Sequence, residues 1–594
     1  MNDPSREHRP NPGAGPPGSS RPLPGRRVSR RAFLAGAAGV AGAGVAGLLA
    51  GAQGSPTRVG AGSEAARAAA QRRLRHRTRA KATTTTTTTT TTLGPGQVEL
   101  ATAGWIQAEN ARPGTTNWVV TGRPVPHALE GYANRVSAQA GDAVTLFVNT
   151  VAPTFHVEAY RMGWYQGLGG RLIWQSAEVP GQRQPAAKFS PGINLIDCAW
   201  APSLSFGVDR TWPPGNYLLK LVGSNGQQQF VPLTVRDDTS TAAFVVQNSV
   251  TTWQAYNLWN GYSLYYGRQG SGQAYATRSR VVSFDRPYAL AQVDWANGAS
   301  DWLGNEFPFV MLAERLGLDM TYWTDVDLAV NPGLLTGHKA LISLGHDEYW
   351  SASMLDGALA ARNAGVNFAF LGANACYRHI RLAASPTGPD RRVICYKDAA
   401  EDPLYGTDNA DVTADWPTGP VPRPESILIG NMYQSNPVDA SMVASDASAW
   451  GLAGAGLAAG DSMPHVVGSE FDAYQPGLAG PTNLEIWAHS PLECRGAPGH
   501  SDMTWYTQAG GGGVFATGTN WWVSKLADNQ GFFPAPLVPK AVPGVTGPLS
   551  TITQNVLTVL GTGPADALRP SLPNWQTFYP AGAKTGPPGG IQGA

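Results

Sequence analysis

Long apolar runs are nearly absent from these 594 residues. Beyond one Ala/Gly-rich stretch, Ala32–Ala52, nothing is long and apolar enough to cross a bilayer. Cysteine is scarce too, with only Cys198, Cys376, Cys395 and Cys494. Of these, Cys376 alone follows a strand-like run, VNFAFLG, where a nucleophile elbow would sit. Its surroundings, Ala-Asn-Ala-Cys-Tyr-Arg, lack the flanking glycines of that turn. His379, His465 and His489 have no metal-ligand spacing and read as surface or packed histidines. Gly510–Gly513 lacks the Gly-Lys-Ser/Thr ending of a phosphate loop and reads as a close-packed turn. Excess positive charge is missing from the folded part. Residues 1–92 carry 15 Lys+Arg against 3 Asp+Glu, out of totals of 43 and 42, which leaves 28 against 39 for the remainder. That acidic balance favours solubility and disfavours nucleic acid or another polyanion as partner.

The leader is informative. Ser29-Arg30-Arg31-Ala32-Phe33-Leu34 is a twin-arginine core, and Ala50-Gly51-Ala52 offers an A-x-A cleavage site. Many glycines and few leucines in the run between them point to Tat export and disfavour an uncleaved anchor. Residues 1–52 therefore read as a Tat signal peptide, and the protein as secreted or displayed at the cell surface. Residues 53–97 join a basic cluster, Arg67 to Lys81, to the unbroken tract Thr83–Thr92. Neither can bury a core, so this reads as a disordered linker, either an inert spacer or a glycosylated stalk.

Residues 98–236 alternate apolar and polar positions in short runs such as AVTLFVNT, TFHVEAYRM and NYLLKLVG. Turn residues between them, as in Pro213-Pro214-Gly215, predict an antiparallel β-sandwich without helices of its own. Arg161-Met162-Gly163-Trp164-Tyr165 looks like an exposed aromatic patch, suited to gripping a sugar or, more naturally, to docking on the next domain. Residues 237–560 change rhythm. AAFVV, FPFVML, KALISL and VNFAFL read as buried strands, with helical stretches such as Met354–Asn363 between them. This predicts a mostly parallel α/β sheet. The Pro/Gly-rich residues 561–594 read as an unstructured tail.

Gly345-His346-Asp347-Glu348-Tyr349-Trp350 falls where the strand KALISL hands over to a loop, and ligands of open α/β sheets bind at that end. Gly345 is expected to break the strand. If extended geometry continues, His346 and Glu348 share a face. Such a pair can bind a metal and relay a proton, although a hydrogen-bonded Glu-His pair looks the same. Neighbouring blocks include Thr252-Trp253-Gln254-Ala255-Tyr256-Asn257, Asp285-Arg286-Pro287-Tyr288 and Gly372-Ala373-Asn374-Ala375-Cys376. Phenolate and carboxylate are hard oxygen donors, matched to a hard, highly charged cation.

With these blocks the chain resembles the large (beta) subunit of N,N-dimethylformamidase and its relatives over roughly Val98 to Leu560, most specifically around GHDEYW. The resemblance implies a lectin- or Ig-like β-sandwich followed by a fold similar to class I glutamine amidotransferases. It also implies one iron ion, as Fe3+, held by two tyrosines and a glutamate. By motif these are Tyr256, Tyr288 and Glu348, with Tyr262, Tyr265, Tyr266 and Tyr349 close enough in sequence to compete. His346 would be the acid–base neighbour, Asn374 would orient substrate or water, and Glu470 in GSEFDAY is a further pocket carboxylate. The implied reaction is amide hydrolysis by metal-activated water, with no covalent enzyme intermediate.

An exported chain suits a small or wall-related amide better than a solvent formamide. A second copy of the chain and a separate small subunit, not encoded here, are the partners to consider. Two other readings stand beside this one. One is a surface-displayed binding or structural protein on a scaffold that has lost catalysis. The other is a hydrolase using Cys376 as nucleophile with His346 or His379 as base. Against that last reading, a Cys376–Cys395 disulfide is the favoured state of the two thiols.

Overall fold

The computed structural model describes residues 98–290, 299, 301–526 and 544–580. The twin-arginine core, the cleavage site, the basic cluster and the threonine tract lie outside them. Among the described residues no helix is long and apolar enough to cross a membrane.

The N-terminal part opens with a short helix, α1 (Gly104–Asn110), where no helix was expected. Seven residues are too few for a helical period to declare itself in sequence. Strands β1 (Leu129–Ala133), β2 (Ala143–Thr150), β3 (Thr154–Met162), β4 (Gly170–Gln175), β5 (Leu204–Gly207), β6 (Gly215–Gly223) and β7 (Gln228–Val235) follow. They form two sheets, β1-β2-β5 and β7-β6-β3-β4, whose pairs are antiparallel. Alternate residues of both sheets, among them Val144, Leu146, Val157, Ala159, Leu219 and Leu221, enter one apolar cluster. The period of two puts one face of each sheet inward. Intervening residues Tyr160, Met162, Leu218 and Phe230 join a different cluster, the one shared with the C-terminal part.

In the C-terminal part come β8 (Phe244–Asn248), α2 (Val250–Tyr256), α3 (Phe307–Leu316), β9 (Met320–Thr324), β10 (Ala340–His346), α4 (Ala352–Asn363) and β11 (Asn367–Ala373). Farther on are β12 (Ser462–Ala473), β13 (Glu485–Cys494), β14 (Ala497–Thr507), β15 (Gly513–Ala516) and α5 (Thr546–Leu560). The seven-stranded sheet runs β9-β8-β10-β11-β15-β14-β13. Its first five strands are mutually parallel and the last two antiparallel. Side chains alternate between faces. Phe244, Val246, Ile342 and Leu344 meet α3 and α5, while Val245, Leu341, Phe368 and Phe370 meet α4.

Three expectations change here. FPFVML is not a strand but the first part of α3, with Pro308 in its opening turn. The run is apolar on every side because helix and sheet bury it all round, and a short apolar run carries no period to distinguish the two states. The stretch after Leu560 is ordered through Pro580. Trp575, Phe578 and Tyr579 pack on the sheet, and Tyr579 donates to Asp502 Oδ2 at 2.6 Å. Its Pro/Gly composition hid these three anchors, while residues 581–594 lie outside the described part. Cys376 and Cys395 are free thiols. They sit in different apolar clusters.

The two parts are joined at Arg161, within the patch expected to be exposed. Arg161 Nη2 pairs with Glu314 Oε1 of α3 at 2.7 Å, both side chains fully buried. Tyr322 donates to the same carboxylate at 2.6 Å and Asn110 from α1 also bonds to it. Tyr165 accepts from Arg161 at 3.0 Å. The patch is thus a docking surface, not a sugar platform. Burial works against the Arg161 charge, but the Glu314 carboxylate outweighs it and raises its pKa well above the ordinary arginine value. Removing one partner of a buried pair strands the other. Glu314→Ala should therefore destabilise the protein by about 3–5 kcal/mol, read by chemical denaturation, with Glu314→Gln costing less because the hydrogen bonds partly survive.

Candidate functional site

Chain order decides where the site lies. From β8 the chain crosses to β9 on one side, then returns to β10 on the other. The crevice at the carboxyl ends of β8 and β10 is thus a topological switch point, where open α/β sheets bind ligands. Strand β8 runs on through Ser249 into α2, which ends at Tyr256, and β10 runs into His346-Asp347-Glu348.

Gly345 does not end its strand; β10 continues to His346. Its φ is +55°, and a Cβ there would meet the Asn305 carbonyl oxygen at 2.4 Å, so glycine is required. The following loop is latched from several sides. Thr252 Oγ1 on α2 accepts the Glu348 N–H at 3.0 Å, and the Glu348 carbonyl accepts the Arg378 N–H at 2.8 Å. Asp347 turns inward and accepts from Gln247 and Ser343, both at 2.8 Å.

Glu348 is fully buried and is the hub of the cluster. Tyr256 donates to its Oε2 at 2.7 Å, and Tyr265 lies 2.9 Å from both carboxylate oxygens. The two phenol oxygens are 2.7 Å apart, and Tyr349 donates to Tyr265 at 2.8 Å. Arg378 Nε reaches Glu348 Oε1 at 3.2 Å and pairs again with Asp415. Burial would raise the Glu348 pKa, but His346, Lys397 and Arg378 outweigh it and hold the carboxyl well below its usual range. Burial, reinforced by the Glu348 charge, pushes Tyr256, Tyr265 and Tyr349 well above the ordinary phenol range.

His346 stands between two carboxylates. Its Nε2 lies 3.2 Å from Glu470 Oε2 on β12 and 3.5 Å from Glu348 Oε2, ion-pair distances off the line of a good hydrogen bond. Burial opposes its charge, but Glu470 and Glu348 prevail and raise it well above the usual imidazole value. Asn374, at the end of β11, has φ of +55°. Its amide donates to Glu470 Oε2 at 2.8 Å, and its backbone N–H is held by Asp472 at 2.8 Å. Its Oδ1 is buried with no hydrogen-bond partner among the described residues. Asn436 and Asn520 also donate to Glu470, at 3.0 and 3.2 Å.

The structure therefore brings Tyr256, His346, Glu348 and Asn374 together, with Glu470 beside them. Tyr288 lines a recess with Tyr132, Arg286 and Arg391. In DRPY it is Arg286 that reaches α2, donating to the Gln254 side chain at 2.9 Å and to the Asn257 carbonyl at 2.9 Å. The second phenol on Glu348 is Tyr265, whose signal was only the aromatic density of the segment after Tyr256. Cys376 is fully buried in an apolar cluster, and burial pushes its thiol well above the usual range, against the thiolate that a nucleophile needs. His379 stacks on Trp416 at 3.8 Å, and His465 pairs with Asp439 at the surface.

Among the described residues no group of three or more His, Cys, Asp or Glu is disposed to hold a metal ion. The convergent donors are instead two phenols and one carboxylate. Oxygens 2.7–2.9 Å apart form an all-oxygen set of the kind a hard, highly charged cation takes.

Residues 156–532 match the family described as N,N-dimethylformamidase beta subunit-like, C-terminal. The match takes in more than half of the sequence, and the chain belongs to that family. A search of curated proteins finds no match. One similar solved structure is a cycloisomaltooligosaccharide glucanotransferase from Paenibacillus sp., complexed with cycloisomaltoheptaose. It is 8% identical with a TM-score of 0.13, and the match covers 34% of this chain and 27% of that one, too slight a likeness to inform fold or function.

The His346 environment makes a direct prediction. In metal-free protein, Glu470→Gln removes one of two anions beside the imidazolium, so the His346 pKa should fall. Ring NMR resonances followed against pH would show it, and an unmoved titration would mean that Glu348 alone holds the charge.

Proposed function

We propose that this chain is an exported, metal-dependent amide hydrolase. Family membership supports the reaction class. The convergence of Tyr256, Tyr265 and Glu348 beside His346 is the observation that carries the rest. We further propose that the two parts are a lectin- or Ig-like sandwich and a glutamine amidotransferase-like sheet. The antiparallel sheets sharing one core and the parallel sheet with its switch point support that assignment. The twin-arginine core, Ser29 to Leu34, supports export to a small or wall-related amide.

Tyr256, Tyr265 and Glu348 would hold a mononuclear iron, as Fe3+, with Tyr265 in the place that motif matching gave to Tyr288. Bound there, such an ion would draw the phenols into their anionic form, polarise a carbonyl and lower the pKa of water. The chain's own residues supply the proton traffic. His346, held charged between two carboxylates, is the acid that gives its Nε2 proton to the departing amine nitrogen as the C–N bond breaks. Glu470, fixed by three asparagine amides, is placed to restore that proton from the attacking water. The unpartnered Asn374 Oδ1 is an acceptor for a substrate N–H or that water.

The test is iron content by elemental analysis, with the visible spectrum, on the chain from Leu93 to Ala594. Stoichiometric iron and a tyrosinate charge-transfer band should be present in the parent chain and in Tyr288→Phe. Both should be lost in Tyr256→Phe, Tyr265→Phe and Glu348→Ala. Loss in Tyr288→Phe with retention in Tyr265→Phe would return the second phenol to DRPY. Iron-free, colourless protein from an iron-replete preparation would leave the non-catalytic binding scaffold as the reading.

A further inference from the structure

Lys397 is the most anomalous residue near the site. It follows Cys395 and Tyr396 and adopts φ of +65°, a left-handed conformation that strains a non-glycine residue. Its side chain runs inward, 8% exposed, where lysines ordinarily carry their amine out to water. Its Nζ has no hydrogen-bond partner among the described residues. Instead it sits 3.1 Å from the centre of the Tyr265 ring and 5.4 Å from that of Tyr349. A backbone hydrogen bond of 3.0 Å from its own N–H to Thr413 fixes the strained residue in place. Nothing in packing alone asks for a buried amine here, since a methionine would fill the same volume without desolvating nitrogen.

We propose that Lys397 is a positioning residue of the centre, seated on the face of Tyr265 to orient that phenol and to hold its ring electrons. This rests on the assignment of Tyr265 as a ligand. Charged or neutral, the amine turns N–H bonds toward the negative face of the ring. An N–H group there stabilises electron density on the ring, most of all when the phenol is ionised. The same contact fixes the ring plane, and with it the direction of the oxygen shared with Tyr256 and Glu348.

The reading is a spectroscopic one. In charge transfer from tyrosinate to iron an electron leaves the ring, and an amine on the ring face opposes its departure. The iron-loaded full chain, Lys397→Met and Lys397→Arg would be compared by iron content, visible spectrum and near-ultraviolet circular dichroism. Lys397→Met, with native dichroism and iron retained, should move the band to longer wavelength, and Lys397→Arg, which keeps N–H donors, should restore it toward the parent. Loss of iron in Lys397→Met with retention in Lys397→Arg would equally support the assignment. An unmoved band with iron retained in Lys397→Met would overturn it, as would loss of iron from both variants, which would make the side chain mere filler. Parent protein without iron would overturn the centre itself, and the role of Lys397 with it.

Discussion

Glu348 is a fully buried carboxylate, and the architecture around the switch point is arranged to make its charge tolerable. An isolated ion taken out of water costs several kcal/mol even after the protein relaxes. Here the cost is met by Arg378, by the His346 imidazolium and by two phenol hydroxyls, each drawn from a different segment. Those partners in turn need anions and acceptors. Arg378 takes Asp415, and His346 takes Glu470, which is steadied by Asn374, Asn436 and Asn520. The polar network extends outward until its charges are met, which is why a single hub can fix the position of so many side chains.

Such a network demands a rigid frame. The parallel strands deliver His346 and Asn374 at the ends of neighbouring β10 and β11, whose register pairs His346 with Ala373. Close approach of those ends needs Gly345 and Gly372, since a Cβ on Gly372 would meet the Gly345 carbonyl oxygen at 2.1 Å. The N-terminal sheets contribute from behind. Their outer face packs on α3, and the Arg161–Glu314 pair pins it there. A second buried ion pair, remote from the hub, thus holds the scaffold on which the first depends.

What could be read from the sequence follows from range of interaction. His346 and Glu348 were legible because two residues of extended chain place them on one face, whereas Tyr256 was named only through the family resemblance. Glu470 was visible only as a weak match, and Tyr265 only as one of several neighbouring tyrosines. Lys397 and Arg378 had no local signal at all. Their places are set by how the sheet and its flanking strands fold back, which no spacing encodes. The same limit explains the fold-level differences. FPFVML is buried on all sides and carries no period, and the anchors Trp575 and Tyr579 sit within a Pro/Gly-rich stretch. Cys376 and Cys395 are near in sequence but fold into different apolar clusters.

The protonation pattern ties these strands of argument together. Burial and the Glu348 charge keep the three phenols protonated, while His346 stays charged and Glu348 ionised. The network is therefore satisfied when two phenol hydrogens fill the space between Tyr256, Tyr265 and Glu348. Under the proposed assignment a bound cation would replace those hydrogens, since the phenols would otherwise have to ionise against a buried carboxylate. Under the proposed iron assignment, the raised phenol pKa values would favour a highly charged cation as much as the donor type does. Arg378 on the carboxylate works in the other direction, since its charge would reduce the repulsion that two phenolates and a carboxylate would otherwise meet.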